Sequence, residues 1–590
     1  MTPAARVVPD VASFSVDDGF WYSVPEHLSA DLGVGSIVRI PLSGRRVRGW
    51  VVQVAERDES MLKDIAGISG ILPVCDTDLL EGLLWAARHY VAPVSALLAR
   101  ATPPNLPRKR KPVPVVAVVE PNGTALGSIA RRAAAGRTSP ATAIVSNWRK
   151  LEWLADLGPV FEAGKSVLLV TATAAEASFV ASNARSIWGD LVAAATGDDA
   201  AGDTSAWTAA QSAPRLLIST PKGAAWHVEH LGLVMALEES RRAMKDRQTP
   251  TLHVRDLLLT RSRIEGFNLV FYGPTPGVEL LARGAEVVKE GNRAWPLVEV
   301  VDRSSDAPGS GFLSSHTVAA ISATVGAGRK VFVFTHRRAS AASARCAKCR
   351  RTRTCRSCGR RLGLVEACPH CDAQAGPCTN CGGAEFEAMG TVPERLAAEL
   401  NRRVSHDVAA VHPTSLPVGV GTERDLAGLD SVAVSVAADV DGMLLGSGYR
   451  TTEEALRQLA RLASAVGTES GSRLILQTSR ADSLLVTTMR RGDPIPYLER
   501  VLVERAREGF PPSTELVAVE VRGHAPADAG ADLAALGPDV ILLGPMPVEG
   551  GQRWLLTGKL GRVKNGLRSV VGRWRDKGAT VRVDADPIDL

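Results

Sequence analysis

Aromatic side chains are scarce in this 590-residue chain, and no apolar run reaches the roughly 20 residues that a helix needs to cross a bilayer. A membrane-spanning protein is therefore not expected. The first eighteen residues carry Asp10, Asp17 and Asp18 and lack the apolar core of a secretory signal, so the expected compartment is the cytoplasm. A marked excess of one charge is also missing. Sixty-nine basic against 63 acidic residues leaves +6, too little over this length to identify a partner, so the distribution of charge has to do so. Turn-forming residues are plentiful, with Gly 54 and Pro 35, and the 45% hydrophobic, 22% charged balance is that of a globular protein. At roughly 150 residues per domain the chain holds about four folding units.

Cysteine is rare too, nine in all, yet eight of the nine fall between Cys346 and Cys381. In a reducing compartment such crowding marks metal ligands rather than disulfides. The pattern is four C-x2-C pairs, Cys346/Cys349, Cys355/Cys358, Cys368/Cys371 and Cys378/Cys381, separated by five, nine and six residues. Each pair is a knuckle that brings two thiolates to one tetrahedral Zn²⁺, and two knuckles close a site with no position left for water. Two structural zincs are expected. Sequence order permits three pairings of knuckles. The favoured one is nested: Cys355, Cys358, Cys368 and Cys371 form an inner site, and Cys346, Cys349, Cys378 and Cys381 close an outer site around it. An iron–sulfur cluster is the alternative cofactor, and His370 is an alternative ligand. Cys75, alone in an apolar stretch, reads as a core thiol.

Basic residues crowd the same segment: Arg345, Lys348, Arg350, Arg351, Arg353, Arg356, Arg360 and Arg361, with no acid between 345 and 361. A solvated loop surface would explain them. Phosphate contact explains them better, because Lys and Arg gain affinity for a nucleic-acid backbone by counterion release; Arg350, Arg351 and Arg353 are the expected contacts. The run Arg108 to Lys111, set among prolines, fits a solvated linker as well as it fits DNA.

The first hundred residues read as short strands and turns. From about 125 onward helical segments alternate with buried-looking strands at 166–173, 215–220, 232–237, 268–273, 330–335, 408–412, 431–437 and 473–478. Such alternation predicts an α/β fold with mostly parallel sheets, and the cysteine cluster interrupts the series after 335. Short strands return beyond about 485, with an amphipathic segment at 562–578.

Tandem α/β units with a double knuckle inside the second resemble the primosomal protein N′ (PriA) family of replication-restart proteins. The likeness runs nearly the whole length, through Phe20 to Pro25, Gly35 to Pro41, Val254 to Asp256 ahead of a helix, Gly273 to Pro276, Val298 to Asp302, the Arg337-Arg338 pair, Gly421-Thr422, Leu476 to Thr478, Gly509 to Pro512 and Leu543 to Pro545. It implies a β-rich module at 1–105 that captures a 3′ end, a linker at 106–124 and a RecA-like helicase-type lobe at 125–292. A second such lobe at 293–345 and 384–484 is interrupted by the two-zinc insertion at 346–383, and a small α+β domain follows at 485–590. The family's 3′-end pocket maps onto Phe20, Trp21, Tyr22, Gly35 and Lys63; aromatics stack on a base and lysine meets phosphate. Trp21 stands where the family has an acid for the terminal hydroxyl. Too few residues separate the module from the first lobe for the family's winged helix. The implied partners are forked DNA with a 3′ end and primosome or helicase-loading proteins, with the chain a monomer.

The resemblance also implies a motor, whose parts can be checked. Hydrolysis of ATP needs a Gly-rich loop with Lys and Ser or Thr, an Asp for Mg²⁺, a base, and arginines for developing charge. Gly164-Lys165-Ser166 has Pro159 where G-x4-GK[ST] needs glycine, and it runs straight into a strand where a P-loop should open a helix. The stretch matching the loop, Thr142 to Lys150, has no glycine. Leu237 replaces the Mg²⁺ aspartate ahead of Glu238, and 464–468 lack both arginines of the matching motif. A helicase-like scaffold without an ATPase is expected. The rivals are an active ATP-dependent 3′–5′ helicase and a zinc-ribbon scaffold for other proteins.

Overall fold

A computed structural model of the chain describes residues 2–57, 61–306, 310–336, 344–349, 351–359, 361–368, 371–388, 393–405, 407–412, 415–429, 431–446, 448–523 and 526–588. Two compact units emerge, Met1–Ala294 with Leu498–Leu590, and Trp295–Tyr497.

The first unit opens on a five-stranded antiparallel sheet in the order Phe20–Ser23, Thr2–Pro9, Arg45–Arg57, Ile37–Leu42, Gly67–Ser69. Strand alternation sends Ala5, Val7, Tyr22, Val38, Ile40 and Val51 into a small core. Val8, Ile37 and Trp50 go to a larger core shared with two helices, Thr77–His89 and Val94–Ala101. These helices correct the reading of the first hundred residues as strands alone. Asp76 caps the first by accepting the Leu79 N–H at 2.8 Å, and Leu79, Leu80, Leu83, Ala86 and Ala87 recur at helical spacing on its buried side.

A seven-stranded sheet follows, parallel at every junction, in the order Glu286–Lys289, Thr142–Val145, Asn268–Gly273, Leu231–Leu237, Ser166–Val170, Leu216–Ser219, Val192–Ala195. Its central strands are buried on both faces, which is why they read as continuous apolar runs. Val254 to Asp256 form the first turn of helix Val254–Glu265 rather than preceding it. The unit closes with a four-stranded antiparallel sheet, Ile541–Val548, Gly551–Gly558, Glu515–Arg522, Thr580–Ala585, covered by the amphipathic helix Arg562–Asp576 through Val563, Leu567, Val571 and Trp574.

The second unit is a six-stranded parallel sheet in the order Val298–Asp302, Arg473–Thr478, Val434–Ala437, Val331–Phe334, Val418–Gly421, Ala409–Val411. Between Val331–Phe334 and helix Pro393–Arg403 lies the cysteine insertion, closed at its base by the two-stranded pair Ala344–Cys346 and Phe386–Ala388. The two parallel α/β sheets have the arrangement expected of the two lobes that the resemblance implied. Among the described residues no helix is long and apolar enough to cross a membrane.

Candidate functional site

In an open parallel α/β sheet ligands sit at the carboxyl ends of the strands. In the first lobe the strand Thr142–Val145 lies beside Asn268–Gly273, which lies beside Leu231–Leu237, so the loops after Val145 and Leu237 are neighbours. A phosphate loop would present glycine N–H groups there. This chain instead makes a tight 3-10 turn, Trp148–Lys150, ending at Leu151 with φ of 61°. Trp148 is buried, and its indole Nε1 donates to Glu238 Oε1 at 2.9 Å. Glu238, buried at the end of its strand with φ of 53°, also lies 3.6 Å from Arg241 Nη1, which donates to both oxygens of Glu176 at 2.6 and 2.7 Å. Arg149 stacks over Trp148 and Phe179. An indole and a closed salt-bridge network therefore fill the ground beside the residue that matches a general base.

The surroundings are equally committed. Glu290 accepts the Ala125 N–H at 2.9 Å, and Asp156 accepts the Gly123 and Thr124 N–H groups at 2.9 and 3.0 Å. Carboxylates thus occupy the N-terminus of helix Ala125–Ala134, ground that favours an anion. Lys165 Nζ donates to the Ala133 carbonyl at 2.7 Å, and Gly164, with φ of 70°, lies just past the helix Gly158–Glu162. Leu237 is core. Glu239 is buried and accepts the Gly277 N–H at 2.6 Å; burial pushes its carboxyl up to about 7, against the lowering pull of that N–H and of Arg255.

The insertion brings all eight clustered cysteines together as two groups of four: Cys346, Cys349, Cys378, Cys381, and Cys355, Cys358, Cys368, Cys371. Within them, Sγ–Sγ separations are 3.5 Å for Cys346–Cys381 and Cys349–Cys378, 3.6 Å for Cys355–Cys371 and 3.7 Å for Cys358–Cys368. Four sulfurs at 2.3 Å from one ion sit about 3.8 Å apart, whereas a disulfide needs about 2.05 Å. The donor set fits a tetrahedral thiolate-bound ion. The residue after the second cysteine of three knuckles, Gly359, Asp372 and Gly382, has φ of 71°, 55° and 71°, the left-handed turn that folds the backbone around the pair. Knuckle N–H groups point at sulfur: Cys358 N–H, against the cost of burial, holds the Cys355 thiol down to about 6, and Arg351 N–H does the same for Cys349. Cys75 is buried in the N-terminal core.

Arg353 is not offered to a partner. Its guanidinium donates to three backbone carbonyls, Gly363 at 2.9 Å, Val365 at 3.1 Å and Ala375 at 3.2 Å, and lies 4.2 Å from the Phe386 ring centroid. It is an internal strut of the insertion, which corrects its assignment as a DNA contact; composition alone counts the charge without seeing the carbonyls that consume it. Arg351, Lys348 and Arg361 are exposed, and Arg356 reaches the Pro377 carbonyl at 3.2 Å. Arg350, Arg360, His370 and the Arg337-Arg338 pair lie outside the described residues, as does the side chain of Arg345.

In the N-terminal module Phe20 is 41% exposed, but Tyr22 is buried and its hydroxyl donates to the Pro41 carbonyl at 3.2 Å. That ring is core and not available for stacking on a base, a second correction. Trp21, on the opposite face of the strand, is half-buried under the Arg57 guanidinium, 4.1 Å from its centroid. Lys63 is exposed, and its carbonyl accepts the Ser23 N–H at 3.0 Å, which places it at the far end of the strand from Phe20. A Cβ on Gly35, at φ of 82°, would lie 2.0 Å from the Cys75 carbonyl oxygen, so backbone crowding alone demands glycine there.

Residues 6–103 match the family model of the PriA 3′ DNA-binding domain. The Mycobacterium tuberculosis (strain H37Rv) probable replication restart protein PriA is 25% identical over 91% of this chain and 90% of its own length. The chain is similar to PriA proteins over nearly its whole length. The Bacillus subtilis (strain 168) replication restart protein PriA is 20% identical over 54% of this chain and 45% of its own length, so that match spans about half of the relative. Among solved structures, S. cerevisiae Dbp5 bound to RNA and ADP BeF3 is 9% identical over 62% of this chain and 88% of its own, with a TM-score of 0.33, a likeness too faint to build on. Composition and periodicity mark none of Trp21, Trp148 and Leu237 as functional; Trp148 and Leu237 are buried and Trp21 lies under Arg57.

Proposed function

We propose that the chain is a replication-restart factor that binds forked DNA carrying a 3′ end and recruits primosome or helicase-loading proteins without unwinding DNA itself. It acts as a cytoplasmic monomer, with two zincs as structural ions and no catalytic residues. The observation that carries the loss of the motor is the Trp148–Glu238 hydrogen bond, which fills the ground where phosphate chemistry would take place, together with a leucine at the magnesium position. DNA contact is supported by the family-model match over residues 6–103 and by the exposed Phe20, Lys63 and Arg351. Zn²⁺ is the ion the two four-thiol groups fit, through the sulfur spacings above.

Each zinc, held by four thiolates, neutralises charge and ties knuckles together; the surrounding backbone N–H groups and the Arg353 strut hold the sulfurs in place. The test titrates a labelled fork and a blunt duplex while phosphate release is followed with ATP and Mg²⁺. The expected result is tighter binding of the fork and background phosphate release. DNA-stimulated hydrolysis abolished by Glu238→Ala would establish an active helicase instead, and failure to bind a fork at low salt would leave only a protein scaffold.

A further inference from the structure

The hairpin of Ile37–Leu42 and Arg45–Arg57 turns at Ser43-Gly44, with φ of 47° and 78°, the two-residue I′ geometry that matches strand twist. Its register sets Arg39 directly opposite Arg48, and Arg46 opposite Pro41. Opposed residues share a face, as do residues two apart on one strand. Arg39, Arg46 and Arg48 therefore project from one face, with Arg45 beside the turn. All four are exposed.

Fold alone does not call for this arrangement. Like charges directly opposite destabilise a strand pair, and residues 37–55 contain no acid to relieve them. Asp10 takes Arg48 at 2.7 Å; Arg39, Arg45 and Arg46 have neither an ion pair nor a side-chain hydrogen bond among the described residues. Other arginines of the chain are neutralised at close range, Arg241 by Glu176, Arg457 by Glu423 and Arg505 by Glu279. The flanking strands end their pairing at Pro9 with Gly49 and at Gly67 with Arg39, so from the Arg39–Arg48 pair outward to the turn the hairpin is a two-stranded ribbon. Exposed Phe20 pairs with Val7, which pairs with Val51. Phe20, Val7 and Val51 share one face, and Arg48, three residues before Val51, projects from the other, so ring and arginines are about 10 Å apart along the strands, about 10 Å across them and on opposite sides of the sheet. A strand passing around the sheet edge spans that in several nucleotides at about 3.4 Å per step.

We infer that this ribbon is a sequence-independent grip on DNA phosphates flanking the 3′ end, with the unpaired guanidinium forks of Arg39 and Arg46 each meeting a phosphodiester. The inference rests on the DNA-binding reading of the N-terminal module. The phosphates belong either to the single strand leading to the end or to the adjoining duplex arm.

The test measures fluorescence anisotropy of the full chain, wild type and Arg39→Gln/Arg46→Gln, with a labelled single-stranded oligonucleotide and a labelled fork between 50 and 200 mM salt. Each phosphate contact contributes about 0.9 to the log–log salt slope on duplex and about 0.7 on single strand. The double variant should therefore lose about 1.8 of slope if the contacts are to duplex, or about 1.4 if to single strand, so that at 50 mM its deficit against wild type is about twelve-fold or about seven-fold larger than at 200 mM. A slope change confined to the fork assigns the duplex arm; one seen with both DNAs assigns the single strand. Arg39→Lys/Arg46→Lys should keep the wild-type slope, and the glutamine variant, relieved of opposed charge, should melt no lower than wild type. Wild type binding both DNAs with the glutamine variant's slope unchanged would overturn the grip and leave the DNA reading standing. Wild type binding neither would overturn both.

Discussion

Replacing Trp148 by phenylalanine keeps a ring in the first lobe's core but removes the N–H that Glu238 accepts at 2.9 Å. A hydrogen bond to a charged group contributes about 1.5–3 kcal/mol, and weakening it inside a buried network costs on that order. Trp148→Ala adds a cavity and should cost about 3–5 kcal/mol. A chain of two units does not unfold in one step, so the measurement is amide hydrogen exchange at Leu233 to Leu237, the strand that ends at Glu238. A loss of 1.5–3 kcal/mol speeds exchange through local opening by about 10- to 150-fold. A cycle with Glu238→Ala should show coupling of about 0.5–3 kcal/mol, as expected for residues in direct contact. Unchanged exchange in Trp148→Phe would refute the idea that this bond holds the lobe closed. ATP turnover by Trp148→Ala would instead refute the proposed loss of the motor, because vacating the indole restores neither the magnesium ligand at Leu237 nor a glycine loop.

Glu239→Gln probes a buried carboxyl pushed up from 4.5 to about 7. With its folded value raised, the protonated form is favoured in the fold. The stability this group contributes is fully present below about 4.5 and lost as pH rises through about 7. The variant should match wild type at pH 5 and exceed it at pH 8 by at most about 3 kcal/mol, read as a shift in melting temperature that grows with pH. Gly35→Ala, with its Cβ forced against the Cys75 carbonyl, should lower the melting temperature of the N-terminal module by a cost of about 1–3 kcal/mol or more, whether or not DNA is present. Arg353→Ala should speed zinc release to a chelator and leave the salt slope of DNA binding unchanged; a slope smaller by about 0.9 would restore it as a phosphate contact. Cys358→Ser should leave one tightly held zinc of the two, because the outer group shares no ligand with the inner.

Local signals were the most legible. Four C-x2-C pairs with short spacers led to the nested grouping, because knuckle geometry is set by neighbours in sequence, and buried strands such as Leu231–Leu237 and Arg473–Thr478 stood out as apolar runs. The edge strands Val192–Ala195 and Glu286–Lys289 did not, being four residues each and only partly buried. The helices Thr77–His89 and Val94–Ala101 are short, and their 3.6-residue apolar period, capped by Asp76 in the first, lies beside β-branched runs that mask it. What lay beyond reach were partnerships across long separations. Trp148 meets Glu238 ninety residues away, and nothing in a glycine-free loop says that its tryptophan turns inward. Arg353 counted as a surface charge until its carbonyl partners at Gly363, Val365 and Ala375 were seen. The Arg39–Arg48 opposition likewise depends on register, which a hairpin's sequence leaves one residue short of certain.

The decisive measurement is simultaneous: one sample of full-length chain with labelled fork DNA, ATP and Mg²⁺, followed by anisotropy and phosphate release together. Salt-sensitive binding with release at background is expected of a scaffold whose phosphate ground is filled by Trp148 and Glu238. Release that rises with bound DNA and disappears in Glu238→Ala would contradict it.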